Sequence, residues 1–221
     1  MFDKEMLSML GTETLMTLYM TLCSTVFSYV LGMPIGIALV VTAKNGLRPH
    51  TAVNKILDSI VNILRSIPFL ILMILLIPLT RLIVGKAYGP TATIVSLTVA
   101  AAPFVARLVE SSLLEVDKGV VEAAQSMGAG LFTIIRKVLL SEARISLMVG
   151  GTIALGTILG YSAMAGAIGG GGLGAVAIQY GYYRYQAGIM IVTVILLIIL
   201  VQLMQWAGMK LAKKLDRRLT R

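Results

Sequence analysis

Glu122, Ala123, Ala124 and Gly128 are the residues whose types and spacing are most informative, and they lie in the longest polar stretch of an otherwise apolar sequence. Two small residues follow an acid directly, and a glycine follows the same acid after six positions. Residues 129–142 then predict a second helical piece. A helix, a glycine break and a second helix make a rigid projection that a soluble partner can grip. The expected chemistry is mechanical coupling, with this chain as one moving part of a larger machine.

The first helical piece of the projection, which spans residues 117–141 in all, has a predictable start and end. Asp117 is placed to cap it, because a carboxylate accepts backbone N–H groups and complements the positive end of a helix. Gly128 is a natural stop, since glycine adopts a left-handed conformation without a side-chain penalty.

The faces of this piece leave two interpretations open. Ala123 and Ala124 keep the surface thin enough to enter a partner's groove, where Glu122 can pair with a basic group. Apolar residues recur at helical spacing on one side, at Val120, Val121, Ala124 and Met127. An amphipathic helix lying on a lipid surface explains the same residues equally well.

The residue sets that catalysis or a metal site would need are absent from the sequence. No Walker-type glycine loop with lysine occurs, so the chain should not hydrolyse ATP itself. His50 is the only histidine, which cannot build a metal site or a typical triad. The spans lack the ladder of Asp or Glu that carries protons or sodium, so a carrier driven by an ion gradient is less favoured. Energy must enter from elsewhere, and the projection is the natural inlet.

The composition predicts a membrane protein. Of 221 residues, 57% are hydrophobic and only 13% are charged, with a mean hydropathy of +0.91. A soluble domain carries about 25% charged residues, so the solvent of this chain must largely be lipid. The net charge of +9 does not indicate nucleic acid, because the bases cluster in short segments beside apolar spans. Cys23 lies inside the first apolar span and is interpreted as a small buried hydrophobe.

The hydrophobic pattern predicts an all-α membrane protein with one domain over residues 1–221. A helix needs about 20 apolar residues to cross a bilayer core. Five such candidates occur, at about 15–42, 57–84, 91–109, 145–168 and 187–209.

Lysine and arginine are distributed unevenly between the two sets of loops. One set holds Lys44, Arg48 and Lys55, then Lys118, Arg136, Lys137 and Arg144, and after the last span Lys210, Lys213, Lys214, Arg217, Arg218 and Arg221. The other set holds Lys4, Arg81, Lys86 and Arg184. Because cytoplasmic loops carry the excess of positive charge, the N-terminus is predicted outside and the C-terminus in the cytoplasm, together with the projection.

Helix breakers and two arginines stand out inside the spans. Pro34, Pro68, Pro78 and Pro103 are candidate kinks for a structure that changes shape. Arg65 and Arg107 can snorkel to the inner interface or form ion pairs, and Arg107 has Glu110 three residues further on. A role of either arginine in a transport pathway is the alternative. The accumulation of breakers favours a transporter over a plain anchor.

The projection resembles the EAA motif of ABC importer membrane subunits. That motif reads E-A-A, three residues, G, nine residues, I, one residue and L-P. Here Glu122-Ala123-Ala124 and Gly128 keep the spacing, Val138 stands for the isoleucine, and Leu140 follows. Ser141 stands where the family has proline, so a less sharply bent exit is expected. The chain also resembles the methionine importer permease family across most of its length, in residues 65–69, 101–104, 160–164, 171–174 and 179–182.

The resemblance implies a set of partners. They are a second copy of this chain, two cytoplasmic ATP-binding cassette subunits that hold ATP and Mg, and an extracytoplasmic methionine-binding lipoprotein. It also implies a bacterial cytoplasmic (inner) membrane, a coupling helix made by the EAA segment, and no cofactor or metal bound by this chain. L-methionine and possibly D-methionine are the implied substrates. A permease for another amino acid, a membrane scaffold without transport and a membrane-embedded enzyme are the competing hypotheses.

The pathway is expected on the two-fold axis between two copies. The fourth span is rich in glycine and alanine, which suits a wall where helices approach closely. Met164 lies in its outer half, and a flexible, polarizable side chain suits an adjustable gate. Tyr161 and Ser162 are candidates to line the path. A core methionine, one of thirteen in the chain, is the alternative for Met164.

Overall fold

The computed structural model describes residues 4–215, and these residues form helices without a strand. Arg217, Arg218 and Arg221, on which the predicted orientation partly depends, lie outside the described residues. In chain order the elements are α1 (Lys4–Thr42), α2 (Thr51–Ser66), α3 (Phe69–Leu75), α4 (Ile77–Val84), α5 (Pro90–Leu114), α6 (Lys118–Ser126), α7 (Leu131–Thr133), a π-helical turn (Ile134–Leu139), α8 (Leu140–Glu142), α9 (Arg144–Ala165), a 3-10 turn (Gly166–Ile168), α10 (Gly172–Val176), a second π-helical turn (Ala177–Tyr182) and α11 (Ala187–Leu215).

Four helices in the described part of the chain are long and apolar enough to cross a membrane. They are α1, α5, α9 with its 3-10 extension, and α11. The pair α2 and α3 meets the same criteria only when taken together, and its two helices are bent by 105°. The fold therefore provides four continuous candidate spans and a fifth that is broken.

The broken element corresponds to the second predicted span, 57–84, which the structure divides into α2, α3 and α4. Ile67 has an extended backbone, with φ −81° and ψ 127°, as residues before proline prefer. Pro68 then precedes the first residue of α3. Pro34 and Pro103 were equally expected to be breakers, yet both lie inside continuous helices.

Helix α1 packs along α5 through residues that recur every fourth position. The hydroxyl of Ser28 donates to the carbonyl of Thr98 at 3.2 Å, and a Cβ at Gly36 would lie 2.6 Å from the carbonyl oxygen of Ala106. The facing pairs keep a constant sequence separation of 70: Ser24 with Ile94, Ser28 with Thr98, Gly32 with Ala102 and Gly36 with Ala106. We call this contact the α1–α5 seam. Its small residues bring two backbones together, as is common between helices in lipid.

The start of α10 is held by two side chains of α1. The backbone N–H of Gly172 donates to Glu13 at 2.7 Å, and that of Leu173 donates to Thr17 at 2.8 Å. Gly166 and Gly174 let this segment fold back against α9. An added Cβ at Gly166 would lie 2.2 Å from the backbone nitrogen of Ala175, and one at Gly174 would lie 2.1 Å from the carbonyl oxygen of Ala163. Glu13 and Thr17 thus each satisfy one backbone donor that lipid could not.

Candidate functional site

The projection begins directly after α5, from which α6 is separated by Glu115, Val116 and Asp117. The carboxylate of Asp117 accepts the backbone N–H of Gly119 at 2.7 Å and caps α6. Gly128 has φ +76°, and its N–H donates to the carbonyl of Gln125 at 2.9 Å. The predicted cap and the predicted left-handed stop are both confirmed.

The two sides of α6 differ in what they contact. Ala124 is 6% exposed and packs in a cluster with Val109, Leu113, Ile134 and Leu139. Val121 is packed against the same cluster. This cluster joins the end of α5 to α6 and to the π-helical turn that follows, so it fixes the projection to the membrane body.

The exposed side of α6 carries Glu122 and Ala123. Met127 is 81% exposed, and Val120 is exposed too. The apolar row Val120, Val121, Ala124 and Met127 is therefore divided, with Val121 and Ala124 packed in the core and Val120 and Met127 at the surface. Ala124 serves the protein's own core, so among the two alanines only Ala123 is placed to meet another molecule.

The second piece of the projection is helical but irregular. It consists of α7, the π-helical turn Ile134–Leu139 and α8, and it ends at Ala143, which is buried. At Ser141 the chain stays helical, and the break comes two residues later with φ −77° and ψ −1° at Ala143. Phe132 is largely exposed beside the Gly128 turn. The π-helical turn could not be predicted, because nothing in the apolar pattern of 131–140 separates it from an α-helix.

A charged cluster connects α2 with α5. Arg107 donates from Nη1 to Glu110 at 2.6 Å and from Nη2 to the carboxylate of Asp58 and to Oδ1 of Asn62, the last at 2.8 Å. The ion pair between Arg107 and Glu110 confirms the sequence prediction. Asp58 and Asn62 were missed. Their signal was present, since Asn54, Asp58 and Asn62 recur every fourth residue on one side of α2.

A groove lies where α2 and α3 break apart. It is lined by Arg65, Ser66, Ile67, Pro68, Phe69, Leu70, Tyr161 and Met164. The rings of Phe69 and Tyr161 are stacked, with centroids 4.4 Å apart and planes inclined by 4°. Met164 is 50% exposed. Within residues 4–215 the Arg65 side chain has no carboxylate partner.

Ser162 is the one candidate pathway residue that the structure does not bring to this groove. Its side chain is 1% exposed, and its hydroxyl donates to the carbonyl of Leu159 at 2.7 Å within α9. The physical reason is helical geometry, because the neighbour of a groove-facing residue points about 100° away around the helix. In the described residues, no group of three His, Cys, Asp or Glu side chains could hold a metal ion.

The class of protein follows from the fold, the projection and a family match. Residues 32–220 match the family described as binding-protein-dependent transport system inner membrane component. Because this match covers far more than half of the sequence, the chain belongs to that family. It is a permease subunit of the ABC importer type, with the corresponding all-helical fold.

Particular relatives are similar over most of the chain. The probable D-methionine transport system permease protein MetI of Vibrio cholerae serotype O1 is 53% identical over 210 residues, covering 95% of this chain and 93% of that protein. The methionine import system permease protein MetP of Bacillus subtilis (strain 168) is 46% identical over 180 residues, covering 81% of both.

Solved structures give the same result. A chain in inward-facing conformations of the MetNI methionine ABC transporter superimposes with a TM-score of 0.96 and 46% identity, covering 97% of this chain and all of that one (100%). A chain of an amino acid ABC transporter has a TM-score of 0.72 at 21% identity, with 97% and 95% covered. The second likeness shows the fold alone.

Proposed function

We propose that this chain is the membrane-spanning subunit of an ATP-driven importer of methionine, and that two copies of it form the translocation pathway. The substrate is supported by relatives at 53% and 46% identity that are named as methionine transport permeases. The first relative is named as a probable D-methionine permease, which is the reason to include both stereoisomers.

One observation carries the coupling part of the proposal. Helix α6 is capped at Asp117, stopped at Gly128 and bound to the protein core through Ala124, while Glu122 and Ala123 face outward. The exposed surface of α6 and its end carries the apolar Val120 and Met127 as well as Glu122, whereas a helix lying on lipid keeps charged groups away from its lipid-facing side. The exposed acid beside a small residue instead fits a cleft in another protein, with Glu122 available to a basic group.

In this proposal the cleft belongs to a cytoplasmic ATP-binding cassette subunit, and two such subunits serve the two permeases. ATP and Mg are bound there, and this chain supplies no ligand to either. Closure of the ATPase pair moves α6, which changes the permease pair between inward-open and outward-open states. An extracytoplasmic binding lipoprotein delivers the substrate.

The proposed membrane arrangement follows the positive charges. Lys210, Lys213 and Lys214 lie at the end of α11, and this positive charge supports a C-terminus in the cytoplasm and an N-terminus outside, in a bacterial inner membrane. The whole chain then forms one transmembrane domain, with α2–α4 as a broken second span between the continuous spans α1, α5, α9 and α11.

The proposed pathway runs past the groove at the α2–α3 break. Tyr161 and Met164 border it, and Met164 is half exposed, so its side chain is available to a second copy of the chain. A flexible thioether contributed by each copy can close the gap between them and move aside for substrate. Ser162 has no place in this pathway, because it is buried within α9.

The test is a mild-detergent purification of the tagged chain from native membranes, followed by mass spectrometry and by uptake assays in proteoliposomes. An ATPase should be recovered with the chain, and Glu122→Lys should remove it. Glu5→Lys, which reverses an exposed acid on α1, is the matched control and should retain the ATPase. Recovery of the chain alone would contradict the coupling, and equal competition by unrelated amino acids would contradict the substrate.

A further inference from the structure

Helix α2 turns its polar side toward the protein and its apolar side outward. Asn54 donates to the carbonyl of Leu39 at 2.8 Å, and Asn62 and Asp58 reach Arg107. The opposite side presents an exposed apolar row at Val53, Ile56, Ile60 and Ile63. Val61 is the one residue of α2 that is fully buried. The attachment of α2 to the body therefore depends mainly on polar contacts.

Arg107 makes the main polar contact between α2 and α5. Its two terminal nitrogens serve different helices: Nη1 pairs with Glu110 on α5 itself, and Nη2 pairs with Asp58 and Asn62 on α2. Asn62 also donates to the second carboxylate oxygen of Asp58 at 3.2 Å. A guanidinium presents several donors in a rigid planar fork, which a lysine ammonium cannot reproduce.

The two helices joined at Arg107 lead to different parts of the molecule. Helix α5 continues from Arg107 toward Leu113, which packs in one cluster with Ala124 of α6. Helix α2 continues from Asn62 to its end at Ser66, one residue before the break at Ile67, after which Phe69 stacks on Tyr161. The ion pair of Arg107 with Asp58 thus joins α5, which carries the projection, to α2, which leads to the wall of the groove.

We propose that Arg107 is the positioning residue that transmits movement of α6 to α2 and so to the groove, with Asp58 as its essential partner. The proposal rests on the proposed function, because it assumes that a partner moves α6. It assigns different roles to the two carboxylates on one guanidinium. Asp58 links two helices, whereas Glu110 pairs within α5 and links none.

This difference supplies a matched pair of variants, Asp58→Asn and Glu110→Gln. Each replaces one carboxylate partner of Arg107 by a neutral amide of the same size. In proteoliposomes with the ATPase and the binding protein, Asp58→Asn should lower the amount of methionine taken up per ATP hydrolysed by at least about fivefold, the lower end of typical coupling effects. Glu110→Gln should stay within about twofold on the same scale. Arg107→Lys should behave like Asp58→Asn, because it keeps the charge and loses the fork.

Equal losses in Asp58→Asn and Glu110→Gln would overturn the proposal, since they would show that only the charge balance matters. An unchanged uptake-to-ATP ratio in Asp58→Asn would overturn it too, even with a lower melting temperature. The ratio is used because a purely structural role would reduce uptake and hydrolysis together.

A second measurement depends neither on the folding of the Asp58, Glu110 and Arg107 variants nor on methionine being the substrate. In a Cys23→Ser background, Ile60→Cys on α2 and Met127→Cys after α6 each introduce one cysteine at an exposed position. Maleimide labelling rates are compared in the purified complex without nucleotide and with ATP and vanadate. Both positions should change rate if α2 follows α6. A change at position 127 without one at position 60 would overturn the transmission. A response at both positions in a complex that fails to import methionine would refute the proposed substrate and support transmission from α6 to α2.

Discussion

Helix α5 is bound to α1 and to α2 in opposite ways. Toward α1 it presents the α1–α5 seam, in which a Cβ at Gly32 or Gly36 would meet a carbonyl oxygen at 2.7 or 2.6 Å. Toward α2 it presents Arg107, whose partners are partly exposed carboxylate and amide groups. The first contact is close backbone packing along several helical turns, and the second is one ion pair with its neighbouring hydrogen bond.

This difference separates a rigid unit from a movable one. Two closely packed helices cannot slide past each other by a small distance without clashes, because close-packed interiors transmit strain. The guanidinium fork of Arg107 holds α2 at a single place, so α2 can pivot about it while the ion pair persists. We therefore expect α1, α5 and α6 to move together, with α2 following through Arg107.

The largest effect is expected from Gly36→Ala in the seam. The added Cβ would lie 2.6 Å from the carbonyl oxygen of Ala106 and 2.8 Å from Cβ of Val109. Neither atom can move without its helix, so overpacking should cost about 3 kcal/mol of folding free energy, the upper part of the usual range. The measurement is the melting temperature of the purified chain in detergent.

Gly11→Ala is the control on the same helix, because nothing lies within 4 Å of its Cβ position. It should be neutral or stabilising by up to about 1 kcal/mol, since alanine is the better helix former. Equal destabilisation by both changes would show that the cost of Gly36→Ala does not come from the close contact in the seam.

A smaller effect on stability, with a clear effect on coupling, is expected from Gly128→Leu. The position has φ +76° and open space around it, so the cost comes from the backbone and not from a clash. A left-handed conformation costs a non-glycine residue about 1–2 kcal/mol. The turn should relax, and ATP hydrolysis should continue with reduced uptake.

Gly128→Asn is the matched comparison, because asparagine tolerates the left-handed conformation better than leucine does. Uptake per ATP should be higher in Gly128→Asn than in Gly128→Leu. Normal uptake at normal expression in the leucine variant would contradict the role of this turn.

The attachment of α2 gives the third prediction. Val61→Ala removes the single fully buried side chain of the helix, which packs against Leu39 and Ala106. The loss should be only about 1 kcal/mol, as for other deletions of one or two buried methyl groups, and Ile60→Ala on the exposed side should cost less. A loss in Val61→Ala as large as that in Gly36→Ala would mean that α2 is held by apolar packing, and Arg107 would then be secondary.

The sequence predicted these two contacts unequally, for physical reasons. Pro34 was predicted to be a kink, but it leaves α1 unbroken, because a helix in lipid keeps its other backbone bonds. Gly32 and Gly36, on either side of it, serve close approach to α5. The pair Arg107–Glu110 was predictable since it lies within one helix. The pair with Asp58 was not, because the position of α2 beside α5 depends on the 105° bend at Ile67 and Pro68.

The smallest effect is expected from Ser28→Ala, and it tests what holds the seam. If hydrogen bonds between α1 and α5 held it, loss of the 3.2 Å bond from Ser28 to the carbonyl of Thr98 should cost much of what Gly36→Ala costs. Hydrogen bonds between membrane helices contribute about 0.6 kcal/mol on average. Alanine also keeps the small size that the close approach needs. We therefore expect the melting temperature of Ser28→Ala to stay near that of the wild type, and Ser28→Leu to fall as far as Gly36→Ala. A strong loss in Ser28→Ala would show that the seam is polar in nature, and α5 would then be joined to both α1 and α2 by bonds that can exchange.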